Sequence, residues 1–179
     1  MSTRQFLFSG FGGQGILFAG KFMAYKGLIE DKQVSWLPSY GPEMRGGTAS
    51  CGVIVSDEPV GSPIVSDPDV LVAMNLPSLD RYEGAVKPGG VIFADSSLIG
   101  RKVARTDVTV YYVPATKMAS DAGFSTLANM ILVGKILSVF GEFEENGVRA
   151  ALGKVISARH ADMAEVNMKA LTLGAEEGA

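Results

Sequence analysis

Three short runs of apolar residues, Phe6–Phe8, Val70–Met74 and Val91–Ala94, carry almost no polar interruption, as expected of parallel strands buried on both faces. A fourth strand is predicted over Thr109–Pro114 and two more over Lys32–Leu37, ending at Pro38, and Thr48–Ser56. Val60–Val65 follows the turn Asp57-Glu58-Pro59 and reads as a hairpin partner of Thr48–Ser56. With no helix between the two, the sheet is expected to be mixed rather than wholly parallel. Between these runs the period lengthens. Ile16, Ala19, Phe22, Met23 and Leu28 repeat at helical spacing over Ile16–Ile29, with Lys21, Lys26 and Glu30 left toward water.

Further helices are predicted over Ser78–Val86, with Ser78 as N-cap, over Lys117–Ala122, Ser125–Phe140, Val148–Ile156 and Met163–Leu173. In the Ser125–Phe140 helix, apolar residues from Leu127 to Phe140 wrap most of the circumference. Such a helix must be covered on nearly every side, here by the sheet and then by the C-terminal helices together with a partner subunit. Gly174–Ala179 reads as a frayed acidic tail. The fold expected is α/β: a single Rossmann-like, three-layer domain over 1–179 with a mixed, mostly parallel sheet and C-terminal helices.

Composition narrows the functional classes. The 179 residues suit one domain, and no window approaches the roughly 18 uninterrupted apolar residues of a membrane span. A lone Arg before an apolar run broken at Ser9-Gly10 makes a poor signal peptide, so a cytoplasmic location is expected. A net charge of −3 argues against nucleic-acid binding, which needs clustered Lys and Arg. Cys51 and His160 are the sole cysteine and histidine. One cysteine cannot hold an iron–sulfur cluster or a cysteine-rich zinc site, so Cys51 is read as a small buried hydrophobe and His160 as an ordinary surface residue.

Two stretches carry candidate chemistry. Gly10, Gly12 and Gly15 fit G-x-G-x-x-G between the first strand and the first helix. There the backbone N–H groups of Gly10, Gly12, Gly13, Gln14 and Gly15 can converge on a phosphate or carboxylate, or the glycines can serve only tight turning. A dinucleotide site should place an acidic residue at the end of the second strand, and none is there: Glu30 and Asp31 come too early, and the strand runs into Pro38-Ser39-Tyr40-Gly41. The second stretch, Pro38–Gly47, sets Glu43, Met44 and Arg45 among two prolines and three glycines. Ser39, Glu43, Arg45, Gly46 and Gly47 are candidate contacts, Arg45 because a guanidinium suits carboxylate or phosphate recognition. The alternative is a solvated turn.

The set formed by Gly10-Phe11-Gly12-Gly13-Gln14-Gly15, Ser39-Tyr40-Gly41-Pro42-Glu43-Met44-Arg45-Gly46-Gly47-Thr48, Gly61-Ser62-Pro63-Ile64 and Asn75-Leu76-Pro77-Ser78-Leu79 resembles the gamma subunit of the 2-oxoacid:ferredoxin oxidoreductases, closer to the 2-oxoglutarate and branched-chain branch than to the pyruvate enzymes. The resemblance implies one subunit of an oxidoreductase that converts a 2-oxoacid and coenzyme A to acyl-CoA and CO2 with reduction of ferredoxin. It also implies alpha, beta and delta partners that hold thiamine diphosphate, Mg and the iron–sulfur clusters, and no catalysis by this chain alone. On that reading the glycine turn and the Arg45 loop, at the ends of neighbouring strands, contact coenzyme A or the partner subunits. Two other readings compete. One is a stand-alone NAD(P)-dependent oxidoreductase or nucleotide-binding module, resting on the glycine fingerprint alone. The other is a regulatory domain that binds a small acid as a homo-oligomer, and an isolated subunit is in any case expected to form homodimers through its partner face.

Overall fold

The computed structural model describes residues 2–39 and 48–178. Six strands, β1 (Thr3–Phe11), β2 (Gln33–Ser39), β3 (Thr48–Ser56), β4 (Val70–Ala73), β5 (Val91–Asp95) and β6 (Thr109–Val113), form one sheet in the order β2-β3-β1-β4-β5-β6. β1, β4, β5 and β6 run parallel, while β3 lies antiparallel to both β1 and β2. The sheet is mixed as expected, but for a different reason. The antiparallel hairpin is β2–β3, and Val60–Val65 is not a strand. Val65 alone of its side chains packs over the sheet, against the bare backbone of Gly52, while Ile64 is exposed. β1 occupies the position that a second antiparallel neighbour would need, so β3 has no free edge to offer.

β2 passes through Pro38, which pairs with Cys51, and ends at Ser39. β2 is the edge strand, and only there can a residue without an N–H sit in a strand without orphaning a neighbour's carbonyl.

Among the described residues there are six α-helices: α1 (Ile16–Ile29), α2 (Leu76–Tyr82), α3 (Ala115–Asp121), α4 (Ala128–Val139), α5 (Glu145–Val155) and α6 (Asp162–Glu176). Strand alternation divides the core in two. Phe6, Phe8, Val70, Val72 and Phe93 face α1 and α3 to α6, whereas Leu7, Leu71, Ala73, Ile92 and Ala94 face α2 and the irregular segment around Ile99. These are the three layers of a Rossmann-like α/β domain.

α2 starts two residues before the predicted Ser78. The cap is Asn75, whose Oδ1 accepts the Ser78 N–H at 2.8 Å, and Pro77 supplies the fixed φ favoured in a first turn. Every residue of α4 from Ala128 to Leu137 is buried. The sheet, α1, α3 and α6 do this within the chain, and no partner is required to cover it. Gly174 belongs to α6 rather than to a tail: the helix runs on to Glu176, with Gly174 packed against the backbone at Ile131.

Candidate functional site

β1 delivers its last residues to the carboxyl edge of the sheet beside β4, where strand order reverses direction from β1 and open α/β sheets carry their crevice. The turn that follows requires glycine at two points. Gly13 (φ 89°) and Gly15 (φ 74°) are left-handed, and a β-carbon on Gly15 would also overlap the amide of Asn129. Gly10 is needed for space: a β-carbon there would lie 2.6 Å from Gln14 Oε1 and 2.7 Å from Ile16 Cδ1. Gly12 has open space around it.

Gln14 is turned inward across the head of this turn. Its Oε1 accepts the Phe11 N–H at 2.6 Å, and its Nε2 donates to the carbonyl oxygen of Met74 at 3.1 Å, tying the end of β1 to the end of β4. One backbone amide that a bound phosphate would use is therefore already taken by the protein's own side chain. Gly15 is the N-cap of α1 and carries no side chain, so the first turn of that helix has no side-chain cap and keeps its N–H groups available.

Beneath the turn lies a polar seam that sequence reasoning missed. Ser9 Oγ sits 2.9 Å from Ser78 Oγ and 3.1 Å from the Ala49 carbonyl oxygen, the Met74 N–H donates to the Ser9 carbonyl at 2.9 Å, and Asn75 caps α2 alongside. These contacts pin β1, β3, β4 and α2 to one another at the carboxyl edge. Asn129 was also missed. It lies in the first turn of α4, donates Nδ2–H to the Gly15 carbonyl at 3.0 Å, and so fixes α4 against the glycine turn. Its signal was present: an Asn within an otherwise apolar run is expensive to bury and needs a local reason.

The two stretches singled out from the sequence lie at the ends of neighbouring strands, as expected: the glycine turn leaves β1, and the segment after Ser39 joins β2 to β3, the strand beside β1. β3 stands between β1 and β2, with Phe11 opposite Thr48 and Ser39 opposite Ser50. Ser39 is exposed at the end of β2. Glu43, Arg45, Gly46 and Gly47 lie outside the described residues. Cys51 is fully buried under α1, and burial pushes its thiol up to about 12, which removes it from nucleophilic chemistry at neutral pH. His160 is exposed, as expected.

The family model described as pyruvate ferredoxin/flavodoxin oxidoreductase matches residues 5–177. The chain belongs to this oxidoreductase family. Among its relatives, the 2-oxoglutarate synthase subunit KorC of Methanocaldococcus jannaschii is 39% identical over 131 residues, which cover 72% of this chain and 70% of that one. The ketoisovalerate oxidoreductase subunit VorA of Methanothermobacter thermautotrophicus is 40% identical over 169 residues, covering 94% of this chain. The match takes in only 35% of VorA, so the chain spans about a third of the length of that relative. The keto/oxoacid ferredoxin oxidoreductase gamma subunit of Geobacter sulfurreducens has the same fold, with a TM-score of 0.81 and 30% identity over 97% of this chain and 96% of that one. Within this family the glycine turn belongs to an oxidoreductase subunit, which favours that reading over a stand-alone NAD(P) enzyme.

Proposed function

We propose that this chain is the gamma subunit of a multi-subunit 2-oxoacid:ferredoxin oxidoreductase that converts a 2-oxoacid and coenzyme A to acyl-CoA and CO2, passing the electrons to ferredoxin. The observation that carries the proposal is end-to-end correspondence, in sequence and in fold, with the Geobacter gamma subunit. Alpha, beta and delta partners in the cytoplasm hold thiamine diphosphate, Mg and the iron–sulfur clusters. This chain's part is to bind and position.

Its working edge is the carboxyl end of the sheet. The uncapped start of α1 at Gly15 supplies N–H groups and a positive dipole end, and Gln14 keeps the glycine turn rigid. Gly10, Gly12, Gly13 and Gly15 form the glycine turn, and Glu43, Arg45, Gly46 and Gly47, in the stretch of sequence between β2 and β3, are the further residues we assign to this contact, Arg45 for the suitability of a guanidinium to carboxylate or phosphate. A coenzyme A phosphate or a carboxylate of a partner subunit is the group this edge suits.

Affinity purification from the source organism, with mass spectrometry of what co-purifies, tests the assembly. Recovery of larger oxidoreductase chains in fixed ratio is expected, and recovery of this chain alone would remove the proposal. Arg45→Ala in the reconstituted complex tests the loop: unchanged assembly together with an unchanged KM for coenzyme A would exclude it from both roles.

A further inference from the structure

β2 is the outer strand of the sheet, and among the described residues no strand pairs with its far side. Which of its backbone groups face outward follows from the neighbouring ladders. Gln5 and Ser9 give their carbonyls to the N–H groups of Asp69 and Met74, so the odd-numbered residues of β1 bond toward β4 and the even-numbered ones toward β3. The Asp57 N–H, which donates to the Ser2 carbonyl at 3.3 Å, agrees. Carried through the two antiparallel registers, this alternation turns Gln33, Ser35, Leu37 and Ser39 toward β3 and leaves the backbone of Val34, Trp36 and Pro38 facing out.

The outward row is electrostatically complementary to its own two-fold image. Val34 and Trp36 each present one N–H and one C=O, spaced as an antiparallel ladder requires. With the axis at Ser35, Val34 of each copy meets Trp36 of the other, and every outward N–H and C=O of these residues finds a partner. The ladder then stops, because Pro38 has no N–H and the Lys32 N–H already donates to the Gly27 carbonyl at 3.0 Å. Moving the axis to Trp36 would set Val34 against Pro38 and strand the Val34 carbonyl. No charged side chain lies between Gln33 and Ser39, so no like charges oppose the pairing; edge strands that stay unpaired are commonly guarded by such charges.

Apolar surface gathers at the same place. Of the eight large hydrophobic residues exposed among the described residues, Trp36, Leu37 and Leu28 flank this edge. Trp36 and Leu37 point to opposite faces of the sheet. Leu28 lies on the flank of α1 opposite Lys26, which rests against Gly147 of α5. Across the axis Trp36 comes beside Val34 of the second copy, a favourable aromatic and β-branched pair.

We infer that two copies of this chain associate through their β2 edges, antiparallel about a two-fold axis at Ser35, so that two sheets become one continuous sheet. Such a contact joins identical edges and closes at two copies. It uses none of the residues assigned to the oxidoreductase contact, and it stands or falls separately from that reading.

The test uses the full chain. Sedimentation velocity is expected to find a dimer. Opposed Ser35 residues form a pair that is not hydrogen-bonded, with Cα atoms about 4.5 Å apart, a separation that a disulfide accepts. Ser35→Cys is therefore expected to cross-link into a dimer on mild oxidation. Gln33→Cys, whose two copies stand on the order of 13 Å apart along the ladder, is expected not to. The native Cys51 is fully buried and does not compete. Ser35→Lys and Ser35→Glu are each expected to sediment as monomers, because like charges then meet on the axis, and an equal mixture of the two is expected to recover a dimer. The cross-linking pair covers the case in which a charged variant does not fold. A monomeric native chain at its highest soluble concentration, cross-linking no faster at Ser35→Cys than at Gln33→Cys, an undiminished dimer in folded Ser35→Lys, or a mixture that stays monomeric would overturn the inference.

Discussion

Gly134 of α4 and Gly174 of α6 form a reciprocal backbone contact: a β-carbon on Gly134 would overlap the carbonyl of Leu171, and one on Gly174 would overlap the carbonyl of Ile131. The two helices thus cross at backbone separation, and the obstacles are main-chain atoms that cannot rotate away. Alanine in a helix interior is ordinarily worth about 1 kcal/mol over glycine. Here steric overlap has the opposite sign and is larger, so Gly174→Ala is expected to destabilise by about 3 kcal/mol, the upper end for overpacked cores. Gly153, in α5 with open space around it, is the control, and Gly153→Ala is expected to stabilise by about 0.5–1 kcal/mol. Urea denaturation of the two variants measures both.

Gln14 closes its turn through two bonds, to the Phe11 N–H and the Met74 carbonyl. Gln14→Ala is expected to cost about 1–2 kcal/mol, since the Met74 contact is partly buried while Phe11 N–H can turn to water. A local readout separates this from general loosening. Amide hydrogen exchange at Phe11 should accelerate by more than tenfold, while amides in the middle of β1 change only with global stability. Unchanged exchange at Phe11 would show that the side chain does not hold the turn.

Cys51 is buried against α1 at Gly20, where a β-carbon would overlap its sulfur. Because burial holds the thiol near 12, almost no thiolate exists at pH 8. Ellman's reagent at pH 8 is therefore expected to leave the native protein unlabelled over hours and to label it fully in 6 M guanidinium chloride. Prompt labelling of the native chain would mean that β3 opens beneath α1.

Asp57 accepts from Ser2 N–H at 2.8 Å and pairs with Lys32, and its carboxyl is lowered from 3.8 to about 2 mainly by the hydrogen bond to Lys32, then by the Ser2 amide. A lowered folded-state value means that the stabilisation is complete above the ordinary carboxylate range. It is lost as pH falls from about 4 through about 2. Lys32 is raised by the same pair, so its contribution is lost only at the alkaline end, above its ordinary 10.5. Carboxyl NMR titration is expected to find the Asp57 midpoint near 2 in the native protein and close to the ordinary value in Lys32→Gln. Because both groups are exposed, 0.5 M NaCl is expected to shrink the difference.

The order of strands and helices, the buried runs at Phe6–Phe8, Val70–Ala73 and Val91–Ala94, and the boundaries of α1 were legible in the chain. Each depends on local periodicity and on glycine or proline at its ends, and both are written residue by residue. The glycine turn was legible for the same reason. The function of its parts was less so. That Gln14 bonds to Met74, sixty positions away, follows from β1 lying parallel to β4, and no pattern within either segment encodes that pairing. The Val60–Val65 misreading has the same root. Alternation of apolar residues shows that a segment can pair, but β1 had already taken the free side of β3.

What the sequence determined by itself was therefore the set of elements apart from the Val60–Val65 strand, the absence of cysteines enough for a metal cluster, and the candidate turn, because these depend on composition and on neighbours in the chain. Tertiary structure alone decided which helix covers α4 and why Gly174 cannot be a tail. Those outcomes depend on the distance between backbones at helix crossings, which only the packed fold sets.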